Sequence, residues 1–280
     1  MSIKYFVSSD IHSYYTLWME ALLSAGFDKD NTDHRIIVCG DLFDRGDETK
    51  QCFDFAKYMY EQGRLIYVRG NHEDLLFKCI SQINSTSDID LNHILNGTLK
   101  TVVHFTNMNI YDLICGCYNR KEFQKDIDKL LEFVSSATVD FFELGQYIFV
   151  HGWVPCDMVR LKMSADKELV LADRNTWSEK WSSARWLNGM KCWSKGLVPD
   201  NTTVVCGHWH TSYGHVLFHG HREEFPKTLD KSSIESFKPF IEPGIIALDG
   251  CTAYTGLVNV AVFDVDDEGN ILLYKKEESC

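Results

Sequence analysis

The chain has 280 residues, of which 45% are hydrophobic and 24% charged, a composition typical of a globular protein with one large domain or two small ones. Its formal net charge of -12 opposes binding to nucleic acid or to anionic membranes, since no long run of lysine and arginine forms a basic patch. No window approaches the ~18 apolar residues of a membrane span, and the first residues lack a signal-peptide pattern. The ten cysteines are scattered, often in apolar runs, and we therefore expect a cytoplasmic protein with free thiols.

The first part of the chain alternates apolar strands with helices. Strands are predicted in "IKYFVSSD", "RIIVCGD" and "RLIYVRGNHE", and helices in "YYTLWMEALLSAG", "ETKQCFDFAKYMYEQG" and "EDLLFKCI". This βαβαβα order predicts neighbouring, partly parallel strands that are covered by helices. Residues 85–137 are predicted to be mostly helical.

Strands predominate in the second part of the chain. They are predicted in "DFFELGQYIFVHG", "TTVVCGHWH", "IIALDG", "LVNVAVFDV" and "NILLYKK". Residues 156–200, which carry four of the seven tryptophans, and the polar residues 211–243 interrupt them. We expect an α/β fold in which a two-sheet β-sandwich is flanked by helices. Residues 1–280 then form one domain, with insertions at about 85–137, 156–200 and 211–243.

Five of the predicted strands end in side chains that bind metals or move protons. In open α/β sheets, ligands bind beyond the carboxyl ends of the strands, so five loops can bring these groups together. Each motif alone has an ordinary explanation, such as a tight turn or a helix cap. Their combination after five apolar strands favours a functional site. The residues are Asp10 and His12; Asp41, Asp44 and Arg45; Asn71 and His72; His151; and His208 and His210.

The spacing and chemistry of these residues suit metal binding. Residues two apart in an extended segment point to the same side, so Asp10 and His12 can bind one ion together, as can His208 and His210. The donors are nitrogen and oxygen, which favours Mn, Fe or Zn in a mixed histidine and carboxylate site. Because one ion rarely takes seven such ligands, two ions that share Asp41 fit better. The seven candidate ligands are Asp10, His12, Asp41, Asn71, His151, His208 and His210.

In this order, "DIH", "GDLFDRG", "GNHE", "HGW" and "GHWH" resemble the motifs of the calcineurin-like metallophosphoesterase superfamily. The segments "GDLFDRG" and "RGNHE" are similar to those of the serine/threonine phosphoprotein phosphatases and their bacterial and phage relatives, including symmetrical diadenosine tetraphosphatases. The chain departs from that group at Ser9 and Ser13, where glycine is usual, and at "HGW", where "HGG" is usual. It also has both His208 and His210, where that group often has one histidine. The resemblance therefore supports the reaction type more strongly than the phosphoprotein substrate.

The resemblance implies two divalent metal ions, manganese before iron or zinc, and in-line attack on phosphorus by a hydroxide that bridges them. It implies that Asp10, His12 and Asp41 bind the first ion, with His210 nearby, and that Asp41, Asn71, His151 and His208 bind the second.

The resemblance also implies roles beside the metals. His72 is the candidate acid that protonates the leaving alkoxide, and Asp44 orients it and favours its protonated form. Arg45 is expected to bind phosphate oxygens through its planar guanidinium, with Asn71 close to the same phosphate.

A second phosphate-binding arginine is expected from a later insertion. Arg185 is the candidate, although Arg160 and Arg174 lie in the same stretch. Trp177 and Trp181 are four residues apart; they are expected to pack in the core rather than to stack on a substrate ring.

The predicted function is a phosphomonoesterase of the serine/threonine protein phosphatase type, acting on a phosphoprotein or a small phosphoester. A diadenosine tetraphosphate hydrolase is the alternative, because its metal site would look the same. A nuclease or cyclic phosphodiesterase fits less well with the net charge of -12. A binding module that has lost its chemistry would lack a ligand or His72, and none is missing. His215, His219 and His221 are expected to be ordinary loop residues at the rim of the cleft.

Overall fold

The computed structural model describes residues 2–85, 89–160 and 167–274, which contain thirteen strands and twelve α-helices. Eleven of the strands form two packed sheets with flanking helices. The strands are β1 (Ile3–Ser8), β2 (His34–Cys39), β3 (Leu65–Val68), β4 (Thr138–Val139), β5 (Phe142–Leu144), β6 (Tyr147–Phe149), β7 (Cys156–Arg160), β8 (Lys167–Leu171), β9 (Thr203–Cys206), β10 (Phe240–Glu242), β11 (Ile245–Ala247), β12 (Ala261–Val265) and β13 (Ile271–Tyr274).

The helices lie mostly between the strands of the first half and in the segments that interrupt the second half. They are α1 (Tyr15–Ser24), α2 (Thr49–Glu61), α3 (Asn71–Ser85), α4 (Leu91–Leu95), α5 (Thr98–Thr106), α6 (Ile110–Cys115), α7 (Arg120–Ala137), α8 (Trp181–Ala184), α9 (Gly189–Ser194), α10 (Ser212–Phe218), α11 (Lys231–Glu235) and α12 (Thr252–Thr255), with a 3-10 helix at Arg174–Glu179. No helix of the described residues is long and apolar enough to cross a membrane.

The strand order places the predicted loops at one edge of the sandwich. The first sheet has the order β13-β12-β1-β2-β3-β4, and β1 to β4 run parallel to one another. The second sheet has the order β10-β11-β9-β6-β5, with β11, β9 and β6 parallel. Strands β7 and β8 form a separate antiparallel pair. The parallel pairing of the first three strands confirms the prediction from the βαβαβα pattern.

Alternation along each strand builds three apolar layers, because successive side chains point to opposite faces of a sheet. In β2, Ile37 is buried between the two sheets, whereas Ile36 and Val38 face α1, α2 and the neighbouring helices. In β9, Val205 faces the layer between the sheets, and Val204 faces α8, α9 and the 3-10 helix. The fold is therefore the predicted α/β two-sheet sandwich flanked by helices.

Several element boundaries differ from the sequence predictions. Strand β3 ends at Val68 and α3 begins at Asn71, so Asn71, His72 and Glu73 occupy a first helical turn rather than a strand end. The hairpin of β7 and β8 and the short strands β4 and β10 were not predicted. Residues 85–137 contain α4 to α7, as the mostly helical prediction requires, while the last two residues of "NILLYKK" lie outside the described residues. That the three long segments are insertions into one domain stays a prediction.

Candidate metal centre

Hydrogen bonds between loops bring the ends of the central strands together. The backbone N–H of Asp10 donates to Gly40 O at 3.2 Å, and that of His12 donates to Asp41 O at 3.0 Å. From the second sheet, the N–H of His208 donates to Asp10 Oδ2 at 2.9 Å. The loops that follow β1, β2 and β9 therefore share one small region.

Asp41 lies between two groups of histidines. Its Oδ2 is 3.9 Å from His12 Nε2, and its Oδ1 is 3.3 Å from His151 Nε2. Donor atoms of Asp41, His12 and His72 all lie within 4.8 Å of one another, and so do donor atoms of Asp41, His151 and His208. All five side chains are buried or half-buried. One carboxylate is thus shared by two clusters of candidate ligands.

Asp10 and Asn71 extend the two groups. Asp10 Oδ1 is 4.0 Å from His12 Nε2, and Asn71 Oδ1 is 2.7 Å from His151 Nε2. Two donors that bind one ion at about 2.1 Å lie roughly 3 Å apart when adjacent and about 4.2 Å apart when opposite. The distances around Asp41 and His12, from 3.3 to 4.0 Å, lie in this range.

The tautomers of two histidines also suit cation binding. His12 Nδ1 lies 3.0 Å from Phe43 O, and His151 Nδ1 lies 2.8 Å from Cys39 O. Because a carbonyl only accepts, each Nδ1 carries the proton, and the lone pair of a neutral ring is then on Nε2. Both Nε2 atoms face Asp41. The residues present therefore fit two divalent ions that share this carboxylate.

Strained backbone is concentrated at the same place. Six of the ten described non-glycine residues with positive φ are predicted site residues, namely Asp10, His12, Asp41, Asp44, Arg45 and His208. Left-handed backbone is costly for a residue with a Cβ atom and is often found at functional sites. This observation supports a functional site independently of the motifs.

The same geometry corrects the argument from extended segments. Asp10 and His12 have φ of 54° and 51°, and His208 has φ of 67°, so none lies in a strand. The argument that His208 and His210 point to the same side therefore loses its premise of extended backbone. His210 Nδ1 instead lies 2.6 Å from Ser212 Oγ, and its Nε2 lies 3.2 Å from Glu224 Oε1. The structure does not bring His210 into either group around Asp41.

Charges in the centre are strongly coupled. Burial would raise the pKa of Asp41, but His151 and His72 hold it well below its ordinary value. Burial opposes protonation of His151, yet the charge and hydrogen bond of Asp41 raise the pKa of His151 to about 10. Burial lowers the pKa of His208 to about 3, which leaves a neutral imidazole at pH 7. The proton on His151 neutralises Asp41 and must leave before that ring can bind a cation.

The predicted acid and its orienting carboxylate are in contact. His72 Nδ1 lies 2.7 Å from Asp44 Oδ2, and His72 Nε2 lies 3.7 Å from Asp41 Oδ2. Burial lowers the pKa of His72, but the charges of Asp41 and Asp44 and the Asp44 hydrogen bond outweigh burial, and the net effect raises it. His72 is thus held in an environment that favours its charged form.

Glu73, the last residue of the "GNHE" motif, connects two of the loops. Its Oε2 accepts from the backbone N–H of Asp41 at 3.0 Å and of Gly70 at 2.7 Å. Its Oε1 accepts from Leu42 N at 3.1 Å and from Tyr67 Oη at 2.6 Å. Glu73 belongs to the recognised "GNHE" motif, but the sequence does not show that these four donors come together in the folded chain.

Asp249 was also missed as a residue of the site. It follows β11, a sixth strand end, and is 7% exposed. Burial and the neighbouring charge of Asp10 raise the pKa of Asp249 well above its ordinary value. The segment "IALDG" carried the same pattern of an apolar strand followed by aspartate as the motifs that were recognised.

The two arginines predicted to bind phosphate have different surroundings. Arg45 is exposed, and its Nη2 lies 3.4 Å from His72 Nε2. Arg185 is 6% exposed; it donates from Nη1 to Asp74 Oδ2 at 2.7 Å and from Nη2 to Asp140. Both terminal nitrogens of Arg185 are therefore already bound to carboxylates.

The other candidates in that stretch are engaged elsewhere or lie outside the described side chains. Arg174 donates to Glu143 Oε2 at 2.5 Å, and nothing is described of the Arg160 side chain. Trp177 and Trp181 are 5% and 4% exposed and pack against Phe141, which confirms core packing.

The departures from the phosphatase pattern have local consequences. Ser9 Oγ donates to Asp10 Oδ2 at 2.5 Å, so this hydroxyl supports a candidate ligand. Ser13 has φ of 59°, a conformation that glycine adopts without strain. Trp153 is fully buried and donates from Nε1 to Leu197 O at 2.7 Å, which makes it part of the core.

The remaining histidines of the run after Cys206 lie apart from Asp41. His215 Nδ1 is 2.9 Å from His219 Nδ1, and His219 Nε2 is 2.8 Å from Glu242 Oε1. His221 Nδ1 is 2.6 Å from Ser236 Oγ. Only His208 of this run lies in a group around Asp41.

Comparisons with known proteins agree with the motifs. The family model for calcineurin-like phosphoesterases matches residues 3–224, well over half of the chain. A curated relative, the bis(5'-nucleosyl)-tetraphosphatase PrpE (asymmetrical) of Bacillus velezensis, is 25% identical over 175 residues, which cover 60% of this chain. The match spans 64% of that relative, less than two thirds of its length.

Solved structures with a similar arrangement include two phosphatases. A protein serine/threonine phosphatase from Saccharomyces cerevisiae, with similarity to human phosphatase PP5, is 13% identical with a TM-score of 0.46, over 97% of this chain and 79% of that one. A cold-active protein-tyrosine phosphatase of a psychrophile Shewanella is 12% identical with a TM-score of 0.46, over 98% of this chain and 80% of that one.

Proposed function

Because the chain belongs to the calcineurin-like phosphoesterase family and is therefore a phosphoester hydrolase, we propose that it hydrolyses phosphate monoesters at two divalent metal ions held around Asp41. The observation that carries this proposal is the position of Asp41, whose two oxygens face His12 on one side and His151 on the other. Water adds to phosphorus, the bond to the ester oxygen breaks, and the products are an alcohol and inorganic phosphate.

The ligand set divides at Asp41. Asp10, His12 and Asp41 would hold one ion, and Asp41, Asn71, His151 and His208 the other. When bound, such ions lower the pKa of water and stabilise the charge that develops on the phosphate oxygens.

The groups beside the metals act on the phosphate and the leaving oxygen. Arg45 binds phosphate oxygens, since its guanidinium is exposed and lies next to His72. Asp44 accepts a hydrogen bond from His72 Nδ1, and the other proton of the charged ring is then on Nε2. That proton passes from Nε2 to the ester oxygen as the bond to phosphorus breaks, so the leaving group departs as a neutral alcohol.

Two substrate classes are supported by different observations. The segments "GDLFDRG" and "GNHE" support a serine/threonine protein phosphatase. The name of the PrpE relative supports a dinucleoside polyphosphate hydrolase to the same degree. In either case the substrate is anionic and its phosphorus lies at the same centre.

Manganese is the first ion to test, because the donors are imidazole nitrogen and carboxylate or amide oxygen without thiolate. We also propose a cytoplasmic location, since nine cysteines of the described residues are free thiols. One domain with three inserted segments is part of the proposal as well.

Replacement of a shared and an unshared ligand tests the proposed centre. We expect Asp41→Asn and His151→Asn to abolish Mn²⁺-dependent hydrolysis of p-nitrophenyl phosphate and to reduce bound manganese. Asp54→Asn is the matched control, because it removes one charge from the exposed surface of α2. Turnover at the wild-type rate in both ligand variants would show that the proposed centre is not the site of hydrolysis.

A further inference from the structure

A cavity of about 460 Å³ lies beside the candidate metal centre. Trp186 forms part of its lining, and the Trp186 ring meets His208 edge-on with centroids 5.8 Å apart. Trp209, the residue after His208, lines it too. Through Trp186 the cavity adjoins His208, which is grouped with Asp41 and His151, and its volume is within the range of small-molecule sites.

The lining of the cavity contains three lysines. Lys167, Lys191 and Lys195 line the cavity and are exposed, and its described lining contains no aspartate or glutamate. Within residues 2–85, 89–160 and 167–274, the ion pairs between a lysine and a carboxylate do not include these three lysines. Three lysines, with no acidic residue in the described lining, favour an anionic ligand in a chain whose net charge is -12.

The lining also contains flat aromatic surface. Trp186 is 51% exposed, far more than Trp177 and Trp181 of the core at 5% and 4%. Trp209 and Tyr213 also line the cavity and pack against each other with centroids 5.6 Å apart. Indole and phenol rings stack on nucleic-acid bases of any sequence, because every base presents a π-face. The combination of aromatic walls with lysines matches a base that carries phosphates.

We propose that this cavity binds the base and adjoining phosphates of a nucleoside polyphosphate, with Trp186 as the stacking surface and Lys191 and Lys195 as phosphate contacts. The inference rests on the proposed function and favours its second substrate class, in which the bond that breaks at the same hydrolytic site is a phosphoanhydride. An ester without an aromatic base would leave the exposed indole without a partner. A phosphopeptide would meet the lysines, but it has no general need for the aromatic walls.

Equilibrium binding to the full chain tests the cavity separately from catalysis. Calorimetry with the β,γ-imido analogue of ATP, at constant free Mn²⁺, is compared for wild type, Trp186→Ala, Trp186→Phe and Lys191→Gln/Lys195→Gln. We expect Kd to rise about tenfold in Trp186→Ala, with most of the affinity kept in Trp186→Phe, because phenylalanine still stacks. The double lysine variant should also raise Kd about tenfold, through the loss of two charged contacts.

Lys121→Gln/Lys125→Gln is the matched control. These two lysines are exposed, four residues apart on α7, and not part of the cavity lining, so Kd should stay at the wild-type value. Adenosine and tripolyphosphate, titrated separately, should each bind more weakly than the analogue. Adenosine should lose affinity only in Trp186→Ala, and tripolyphosphate only in the double lysine variant.

The failure of this inference is distinguishable from the failure of the proposed function. Equal Kd values for the analogue in wild type and cavity variants overturn the inference, even if p-nitrophenyl phosphate is hydrolysed. The same holds if a phosphoserine peptide, rather than the analogue, loses affinity in these variants. If the inference is right, the ratio of kcat/KM for diadenosine tetraphosphate to that for p-nitrophenyl phosphate falls about tenfold in Trp186→Ala.

Discussion

Asp44 is held against His72 by a helix that contributes no ligand to the candidate metal centre. His72 Nδ1 lies 2.7 Å from Asp44 Oδ2, and the same carboxylate accepts hydrogen bonds from Thr98 Oγ1 at 2.8 Å and Thr101 Oγ1 at 2.7 Å. Both threonines are on the first turn of α5. All four side chains are at most 3% exposed, so water does not compete for these bonds. The result is an imidazole whose orientation depends on a separate part of the chain.

Replacement of His72 tests the acid role. His72→Asn should lower kcat by about 100-fold or more for phenyl phosphate, because its phenoxide leaves poorly without a proton. The decrease should be much smaller for p-nitrophenyl phosphate, whose leaving group needs little protonation. Both are measured as steady-state kcat, with bound manganese determined on the same samples. An equal decrease for the two substrates would contradict the acid role, and loss of metal would show that His72 acts as a ligand.

The α5 threonines should act as positioning residues. Thr101→Val keeps the shape of the side chain but removes one donor to Asp44, and we expect kcat to fall about tenfold. The ratio of kcat for phenyl phosphate to kcat for p-nitrophenyl phosphate should fall, as is expected for His72→Asn. Thr106→Val is the control, since Thr106 is buried on the same helix but donates to Val102 O. A decrease that is equal for both leaving groups would indicate a merely structural role.

The strand ends could be predicted from the sequence because each is a local pattern, an apolar run followed by a polar residue. The link between Asp44 and α5 could not, since 54 to 57 residues separate the partners and no periodicity marks them. The close approach of Gly97 to Arg45 could not be predicted from the sequence either. Gly97 has φ of +81°, and a Cβ atom there would lie 2.4 Å from Arg45 N, but only the folded chain reveals this contact. The expected pairing of His208 and His210 assumed extended backbone, but His208 is left-handed, and no local pattern in the sequence indicates this.

The two candidate phosphate-binding arginines should respond differently to lysine substitution. Arg45→Lys keeps the charge but loses the planar fork, so kcat/KM for p-nitrophenyl phosphate should fall roughly 10–100-fold with little change in stability. Arg185→Lys should instead reduce the free energy of unfolding by about 1–3 kcal/mol, because Asp74 and Asp140 lose a shared partner. Urea denaturation and steady-state kinetics separate the two effects. If Arg185→Lys lowers kcat/KM more than it lowers the free energy of unfolding, the result would support the predicted contact of Arg185 with phosphate.

Metal removal should destabilise the protein. Asp10, Asp41 and Asp249 are all less than 10% exposed and lie near one another, and burial raises the pKa of Asp10 and of Asp249, so the metal-free form holds carboxyl groups that are costly to ionise. With manganese at 100 times its Kd, binding stabilises the folded state by about 2.7 kcal/mol. EDTA should therefore lower Tm by several degrees, and added Mn²⁺ should restore it. Asp41→Asn should show no such metal-dependent shift.

The stability of the metal-free protein should also fall as the pH rises above neutrality. Asp41 raises the pKa of buried His151 from 6.5 to about 10, against the opposing effect of burial. The folded state therefore binds one proton more than the unfolded state between these two values, and stability is lost as the pH rises through this window. The pKa of His208 is lowered to about 3, so this ring is neutral in both states above pH 7 and adds no slope there. Urea denaturation in EDTA at pH 7 and pH 9 measures the effect. His151→Asn should remove most of the difference, and a wild-type midpoint that does not fall between pH 7 and pH 9 would contradict the ion pair with Asp41.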